Sequence, residues 1–356
     1  MALPSTLWAA AAAAGAKDGS SLANAAGIDA GAANDIWTIV NADAPAAGGT
    51  TVRLCADSPV TVSGGATVTR DGTNANRFTL QGRTAADDAD AEVALDANGG
   101  AFPVLTLATA DYWLVNDFRA TNTNQAAGNS GVVVSVDADN LGFARCRADN
   151  CYQGFALASA STFNWLRACR ADNNASTGFV LNLYCRANYC VAHENGGHGF
   201  DGGDLSRCLA YTNVGTGLIV STLGVGLVAY DNGLGFTCLS TGPVLLEDCV
   251  ATGNATYGYS CALTTHHLTL SRCASYSNTS GRSLATGKLV DSEAIVLTAN
   301  PFIDAANGNF ALNMVAGGGR MLRNKTLLFP GGMTTGYQAP GVAEPAHLYD
   351  ALGGLL

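Results

Sequence analysis

Charge is scarce in this chain: only 13% of its 356 residues are Asp, Glu, Lys or Arg. The balance is acidic, with 18 Lys and Arg against 28 Asp and Glu and a formal net charge of −10. Nucleic-acid binding requires clustered cations to displace phosphate counterions, so no nucleic-acid partner is expected. No RNP, zinc-finger or glycine-loop signature stands in the right context. Runs of 18 or more apolar residues are also absent, so no segment reads as a membrane-spanning helix and no membrane partner is expected. Tight Cys-x-x-Cys pairs are missing too: Cys146/Cys151 and Cys185/Cys190 each have four residues between them, unlike a zinc site. With so few charges and 43 glycines, the surface must be built largely from Asn, Ser, Thr, Ala and Gly.

What the chain has is repetition. Seven units between Cys146 and Gly281 open Cys146-Arg-Ala-Asp, Cys169-Arg-Ala-Asp, Cys190-Val-Ala-His, Cys208-Leu-Ala-Tyr, Leu227-Val-Ala-Tyr, Cys249-Val-Ala-Thr and Cys273-Ala-Ser-Tyr. Two positions after the opener stand Ala148, Ala171, Ala192, Ala210, Ala229 and Ala251, then Ser275. Five after it stand Asn174, Asn195, Asn213, Asn232, Asn254 and Asn278, with Cys151 in the first unit. A glycine follows in every unit, and after the first six glycines come Phe155, Phe179, Phe200, Leu218, Phe236 and Tyr259. The units start 18 to 24 residues apart, which is solenoid spacing.

Two solenoids share that period. A leucine-rich repeat requires a Leu-x-x-Leu-x-Leu frame and a helical return, and neither is present. Short alternating apolar bursts instead precede the openers, as in Leu268-Thr-Leu-Ser-Arg-Cys273, and follow the glycines, as in Gly178-Phe-Val-Leu-Asn-Leu. That is the period of half-buried strands. The chain therefore reads as an all-β, single-stranded parallel β-helix, right-handed because parallel crossovers are overwhelmingly so. Equivalent residues stack about 4.8 Å apart. Cys then lines the core as a small hydrophobe and Ala fills a tight corner. Asn forms an amide ladder while its backbone takes the left-handed conformation. Glycine supplies positive φ or close coil approach.

Eleven cysteines, six of them openers, suit a buried column better than disulfides and imply folding in a reducing cytoplasm. Leu7-Trp-Ala-Ala-Ala-Ala-Ala-Ala-Gly resembles a signal-peptide core, but the first cation, Lys17, comes after it, so the segment reads as mature protein.

Residues 1–50 are expected to form an N-terminal cap, 51–300 the β-helix with regular coils over 146–282, and 301–356 a C-terminal cap and extended tail. Within the first of these, Ala9–Gly15 and Ser20–Ile28 are Ala-rich enough for helices, with Asp18 or Ser20 as cap. The first strands are expected at Thr50-Thr-Val-Arg-Leu-Cys and Val60-Thr-Val. The segment Asp18-Gly-Ser-Ser21 before a strand resembles the start of right-handed β-helix proteins of the pectate-lyase-like superfamily. Asn300-Pro-Phe-Ile-Asp-Ala-Ala-Asn-Gly-Asn-Phe-Ala-Leu and Pro330-Gly-Gly-Met-Thr-Thr-Gly-Tyr337 resemble closing motifs of β-helix proteins from bacteria and their phages. Such endings are tied to no single activity.

Candidate chemistry is sparse. Asp149 and Asp172, three on from their openers, stand one coil apart, within the reach of a glycosidase acid pair. Their column continues His193, Tyr211, Tyr230, Thr252 and Tyr276, and Arg147 and Arg170 stand beside it. It reads either as a sugar groove with an acid pair at one end or as the solvated side of a turn whose aspartates the arginines neutralise. His193-Glu194-Asn-Gly-Gly-His198-Gly-Phe-Asp201-Gly-Gly-Asp204 carries metal-capable side chains, but without helical His spacing or a complete calcium loop. Asp87-Asp-Ala-Asp90 reads as a solvated loop, and His266-His267 as one ring in and one out. No Ser or Cys nucleophile comes with a patterned His base. No catalytic or metal-binding residue is therefore assigned, the binding residues stay open, and no cofactor is expected.

The resemblance implies a noncatalytic virion protein of a tailed phage, a capsid decoration or a fibre component. Its partners would be other virion proteins or further copies of itself, a homotrimer foremost. A tailspike-like or secreted polysaccharide lyase or hydrolase is the alternative. A carbohydrate-binding adhesin contacting surface glycans is the second alternative.

Overall fold

The computed structural model describes residues 3–11, 15–30, 35–84, 90–135, 138–157, 163–238, 242–261, 264–285 and 287–323. Among them the chain forms three long parallel sheets of 13, 11 and 10 strands. From Thr50 onward it visits them in rotation: Thr50–Cys55 in the first, Val60–Thr61 in the second, Ala66–Val68 in the third, then Phe78–Arg83 back in the first. Each strand pairs with its equivalent one coil away, and the 10 strands of the third sheet mark that many full coils.

The repeat columns stack in register. Ala148 faces Ala171, and Ala192, Ala210, Ala229 and Ala251 follow in turn. Cys146, Cys169, Cys190, Cys208, Leu227, Cys249 and Cys273 are buried beside them. In the third sheet Phe155, Phe179 and Phe200 stack with ring centroids 5.1 and 4.6 Å apart. One continuous apolar core thus runs along the inside of the coils.

The ladder asparagines are joined side chain to side chain. The Nδ2 of Asn195 donates to Asn213 Oδ1 at 2.8 Å, Asn213 to Asn232 at 2.9 Å, and Asn254 to Asn278 at 2.8 Å. Their backbone, however, is not left-handed. That conformation lies one residue earlier, at Asn150, Asn173, Glu194, Thr212, Asp231, Gly253 and Ser277. A second left-handed column precedes the openers, at Arg145, Ala168, Tyr189, Arg207, Gly226, Asp248 and Arg272. Of the two roles expected of the repeat glycines, those from Gly154 to Gly258 serve close approach, not positive φ. A Cβ on Gly154 would stand 2.5 Å from the carbonyl oxygen of Gly178 and 2.8 Å from Ala171 Cβ. Only Gly281, with φ +111°, uses glycine's freedom.

The N-terminus corrects the helix expectation. Ala9 and Ala10 belong to a strand, Thr6–Ala10, that pairs in parallel with Thr50–Cys55, and residues 12–14 lie outside the described residues. Ser20–Ile28 holds a 3₁₀ turn, Leu22–Asn24, and a short strand, Ala26–Gly27, that also pairs with Thr6–Ala10. Thr50–Cys55 is therefore not the first strand. Leu7 and Ala9 point inward while Trp8 and Ala10 do not, so alternation and a waiting sheet edge override alanine's helix propensity. Asp18 accepts from the backbone N–H of Ser20 at 2.9 Å and caps no helix. The helix is Ile36–Ala42, capped by Asp35, which accepts from Thr38 N at 2.6 Å. It buries Ile36, Trp37 and Val40, and Trp37 Nε1 donates to Ile28 O at 2.8 Å.

At the other end, Phe302–Asp304 and Asn309–Leu312 form an antiparallel hairpin. It packs against the flank of the rod, on the outer face of the second sheet. Leu327, Leu328, Phe329, Tyr337, Leu355, Leu356 and the Pro330–Tyr337 motif lie outside the described residues.

All eleven cysteines are buried free thiols. Burial pushes Cys185 up to about 12 and Cys151 up to about 11, so neither supplies thiolate at neutral pH. Alkylation is expected to label none of the eleven quickly in the native protein and all of them after unfolding without reductant, read by intact mass.

Candidate functional site

The Asp149/Asp172 column lies on the outer face of the second sheet, where strand alternation aims every second residue away from the core. Yet Asp149 and Asp172 are only 1% and 0% exposed. Arg119 grips Asp149 with two bonds, Nε to Oδ1 at 2.6 Å and Nη2 to Oδ2 at 2.7 Å. Arg147 bridges the coils, 3.3 Å from Asp149 and 2.8 Å from Asp172, and Arg170 Nε closes on Asp172 at 2.7 Å. Thr121 and Asn150 donate to Asp149 as well. The arginines do neutralise the aspartates, as one of the two readings held. They also seal them: every carboxylate oxygen is already bound, and none is placed to meet a substrate.

The rest of the column is neither groove nor solvated turn. His193 stacks on Tyr211 at 4.1 Å, and burial pushes its imidazole down to about 4 against the pull of Glu194. Tyr211, 3% exposed, and Tyr230 meet the ring of Phe310 at 5.1 and 5.7 Å. Phe302 and Leu312 extend the contact onto Leu209, Val228, Val250 and Ala274. The chain's own hairpin occupies the stripe. Phe310→Ala is expected to free this hairpin while leaving the coils intact. Hydrogen exchange over 300–312 should rise at least tenfold, with little change within 146–200.

The second motif does not converge. His193 belongs to the second sheet, Asp201 to the third and Asp204 to the first. Asp204 accepts from Thr222 and Leu223, and His198 Nδ1 accepts from Thr216 N at 2.9 Å. No group of three or more metal-capable side chains gathers among the described residues. Asp90 pairs with Arg83 at 2.6 Å, while Asp87 lies outside the described residues. His266 is buried and His267 exposed, as alternation requires.

Sequence reasoning passed over the outer face of the first sheet. There the indole of Trp165 lies over Gly142, where a Cβ would collide with it. Arg186 is its neighbour one coil on, and Arg167 stands two residues along the same strand. Neither arginine makes an ion pair among the described residues, unlike Arg119, Arg145, Arg147, Arg170 and Arg272. Phe163, with φ 56° and 71% exposed, and Tyr184 flank this patch. The only sequence signal is the aromatic and basic pair just before two openers, in irregular returns.

No protein-family model matches the chain, and no curated protein matches it. Among solved structures, pectate lyase Pel9A is similar over 95% of this chain and 93% of its own, with a TM-score of 0.58 at 16% identity. The fold is a right-handed parallel β-helix. Weaker likenesses join this β-helix to the mannuronan C-5 epimerase AlgE4 A-module of Azotobacter vinelandii (69% of this chain, 74% of that one, TM-score 0.44, 16% identity). Another is ORF18 of Geobacillus virus E2 (77% and 60%, TM-score 0.45, 11% identity). At such identities the likeness is one of architecture, and chemistry has to be argued from the side chains.

Proposed function

We propose that this β-helix is a noncatalytic rod of a tailed-phage virion, serving as a capsid decoration or a fibre component. The observation that carries the noncatalytic reading is the sealed acid pair. A glycosidase needs one carboxyl to hold a proton and another to attack or activate water. Here three guanidiniums hold both Asp149 and Asp172 as buried ion-pair partners. A stack with one continuous core and in-register columns is stiff along its axis and suits a spacer or a surface projection. The resemblance of the Asn300–Leu312 segment to closing motifs of β-helix proteins from bacteria and their phages supports the virion placement. Folding in the host cytoplasm fits a chain of free buried thiols. Partners would be other virion proteins or further copies, with a cyclic trimer the expected assembly.

A second reading, a protein that binds or cleaves an acidic polysaccharide, is favoured by the Trp165, Arg167 and Arg186 patch. Arginine forks match carboxylates, and Pel9A, a pectate lyase by name, shares the fold. The test separates the two. The full-length chain is expected to release neither reducing ends nor unsaturated uronates from homogalacturonan or alginate, and antibodies against it should label intact virions. Product release that Arg186→Ala abolishes would overturn the structural reading in favour of the second.

A further inference from the structure

An open groove of about 520 Å³ lies where the second sheet turns into the third. Asn98, Gly99, Asn122, Thr123, Gln125 and Asn150 line it, and none is charged. Its four amide-bearing residues all have left-handed backbone, with φ of 48° at Asn98, 58° at Asn122, 57° at Gln125 and 54° at Asn150. Asparagine is common at such positions for backbone reasons alone, so the composition requires a control, and the rod contains one. The equivalent left-handed position in later coils holds Glu194, Thr212, Asp231, Gly253 and Ser277. The turn therefore does not demand an amide. The amides collect only in this stretch, from Asn98 through Asn122 and Asn150 to Asn173, and Gln125 joins them although glutamine has no special tolerance for that backbone.

Two of the amides are held in place from below. Asn122 Nδ2 donates to Asp96 Oδ1 at 3.1 Å and Asn150 Nδ2 to Asp149 Oδ2 at 3.0 Å. That fixes which end of each amide is the acceptor and leaves its Oδ1 available. The side-chain amides of Asn98 and Gln125 make no hydrogen bond among the described residues, although each has donors and an acceptor. The floor is thus an array of uncharged groups that both donate and accept, repeating about every 4.8 Å along the rod. A chain of vicinal hydroxyls has the same dual character, and one pyranose unit has a length of the same order.

We propose that this groove is a binding site for a neutral glycan chain lying parallel to the rod axis, with hydroxyl pairs bridged by the amides of successive coils. The site does not depend on the noncatalytic reading and lies apart from the Trp165 patch, on a different face of the rod.

The test is isothermal titration of the full-length chain with maltohexaose, cellohexaose and mannohexaose, with hexagalacturonate as the charged comparison. The variants Asn98→Gly with Gln125→Gly, and Asn122→Gly, remove side chains while keeping a residue at ease with positive φ. At least one neutral hexamer should bind, and the double variant should weaken it tenfold or more with an unchanged melting temperature. Arg186→Ala should leave that binding unaltered. If no neutral hexamer binds, if the glycine variants bind as tightly as the parent, or if hexagalacturonate competes for the same residues with equal affinity, the proposal fails.

Discussion

Asn213→Leu is expected to lower the stability of the rod by about 3 kcal/mol or more. Asn213 Nδ2 donates to Asn232 Oδ1 at 2.9 Å and to Ala192 O at 3.2 Å. Its Oδ1 accepts from the backbone N of Asn195 at 3.1 Å and from Asn195 Nδ2 at 2.8 Å. Leucine fills a similar volume but meets none of these groups, and Asn195 and Asn232 are themselves buried. Each buried group left unpaired costs about 1–3 kcal/mol, and several are stranded at once. Solenoid coils couple mainly to their neighbours, so hydrogen exchange should rise most between residues 190 and 235. Asn278→Leu provides the comparison. Asn278 is only half-buried and sits where the ladder ends, so its loss should be clearly smaller. Equal midpoints for Asn213→Leu and the parent in urea would show that the ladder does not hold the coils.

That ladder was readable because its chemistry is repeated: an amide five residues after each opener can be seen without knowing where it points. Features that do not repeat, or that repeat in conformation and not in residue type, were not readable. The left-handed column before the openers is occupied by Arg145, Ala168, Tyr189 and Asp248. Those residues share no side-chain property, since the stacked backbone around them imposes the conformation. The glycines were recognised as special, but composition cannot distinguish a positive φ from a coil packed 2.5 Å from a would-be Cβ. Alanine-rich Ala9–Gly15 reads as helix on propensity alone, and a partner strand over forty residues away draws Ala9 and Ala10 into a sheet instead. The aromatic stripe was read as a free surface because its cover, Phe302 and Phe310, is distant in sequence and carries no complementary pattern. Arg119 stands in register with Arg147, but its coil opens Phe118-Arg-Ala-Thr without the cysteine, so the guanidinium that completes the seal around Asp149 falls outside the recognised repeat.

That seal carries the second large effect. Asp149→Asn combined with Asp172→Asn keeps shape and burial but removes both negative charges from between Arg119, Arg147 and Arg170. These arginines are register neighbours on successive strands, whose backbones lie about 4.8 Å apart along the rod. Without carboxylates the guanidiniums face one another and have only amide oxygens to donate to. Breaking buried ion pairs one-sidedly costs about 3–5 kcal/mol. The arginine side chains are 21–27% exposed, so water and salt relieve part of the repulsion and the lower end of that range is expected. The loss should therefore shrink as ionic strength rises, because added anions screen the three cations. Asn213→Leu, which removes no charge, should lack that salt dependence. The same double variant discriminates function. In an enzyme working through this pair, it would abolish turnover and leave the melting temperature close to that of the parent, since catalytic carboxylates are seldom tied up by buried arginines. The geometry points the other way: a drop of several degrees in melting temperature, largest at low salt. A folded double variant with parental stability at low salt would show that the ladder is no structural clamp, and would reopen the column as a site for chemistry.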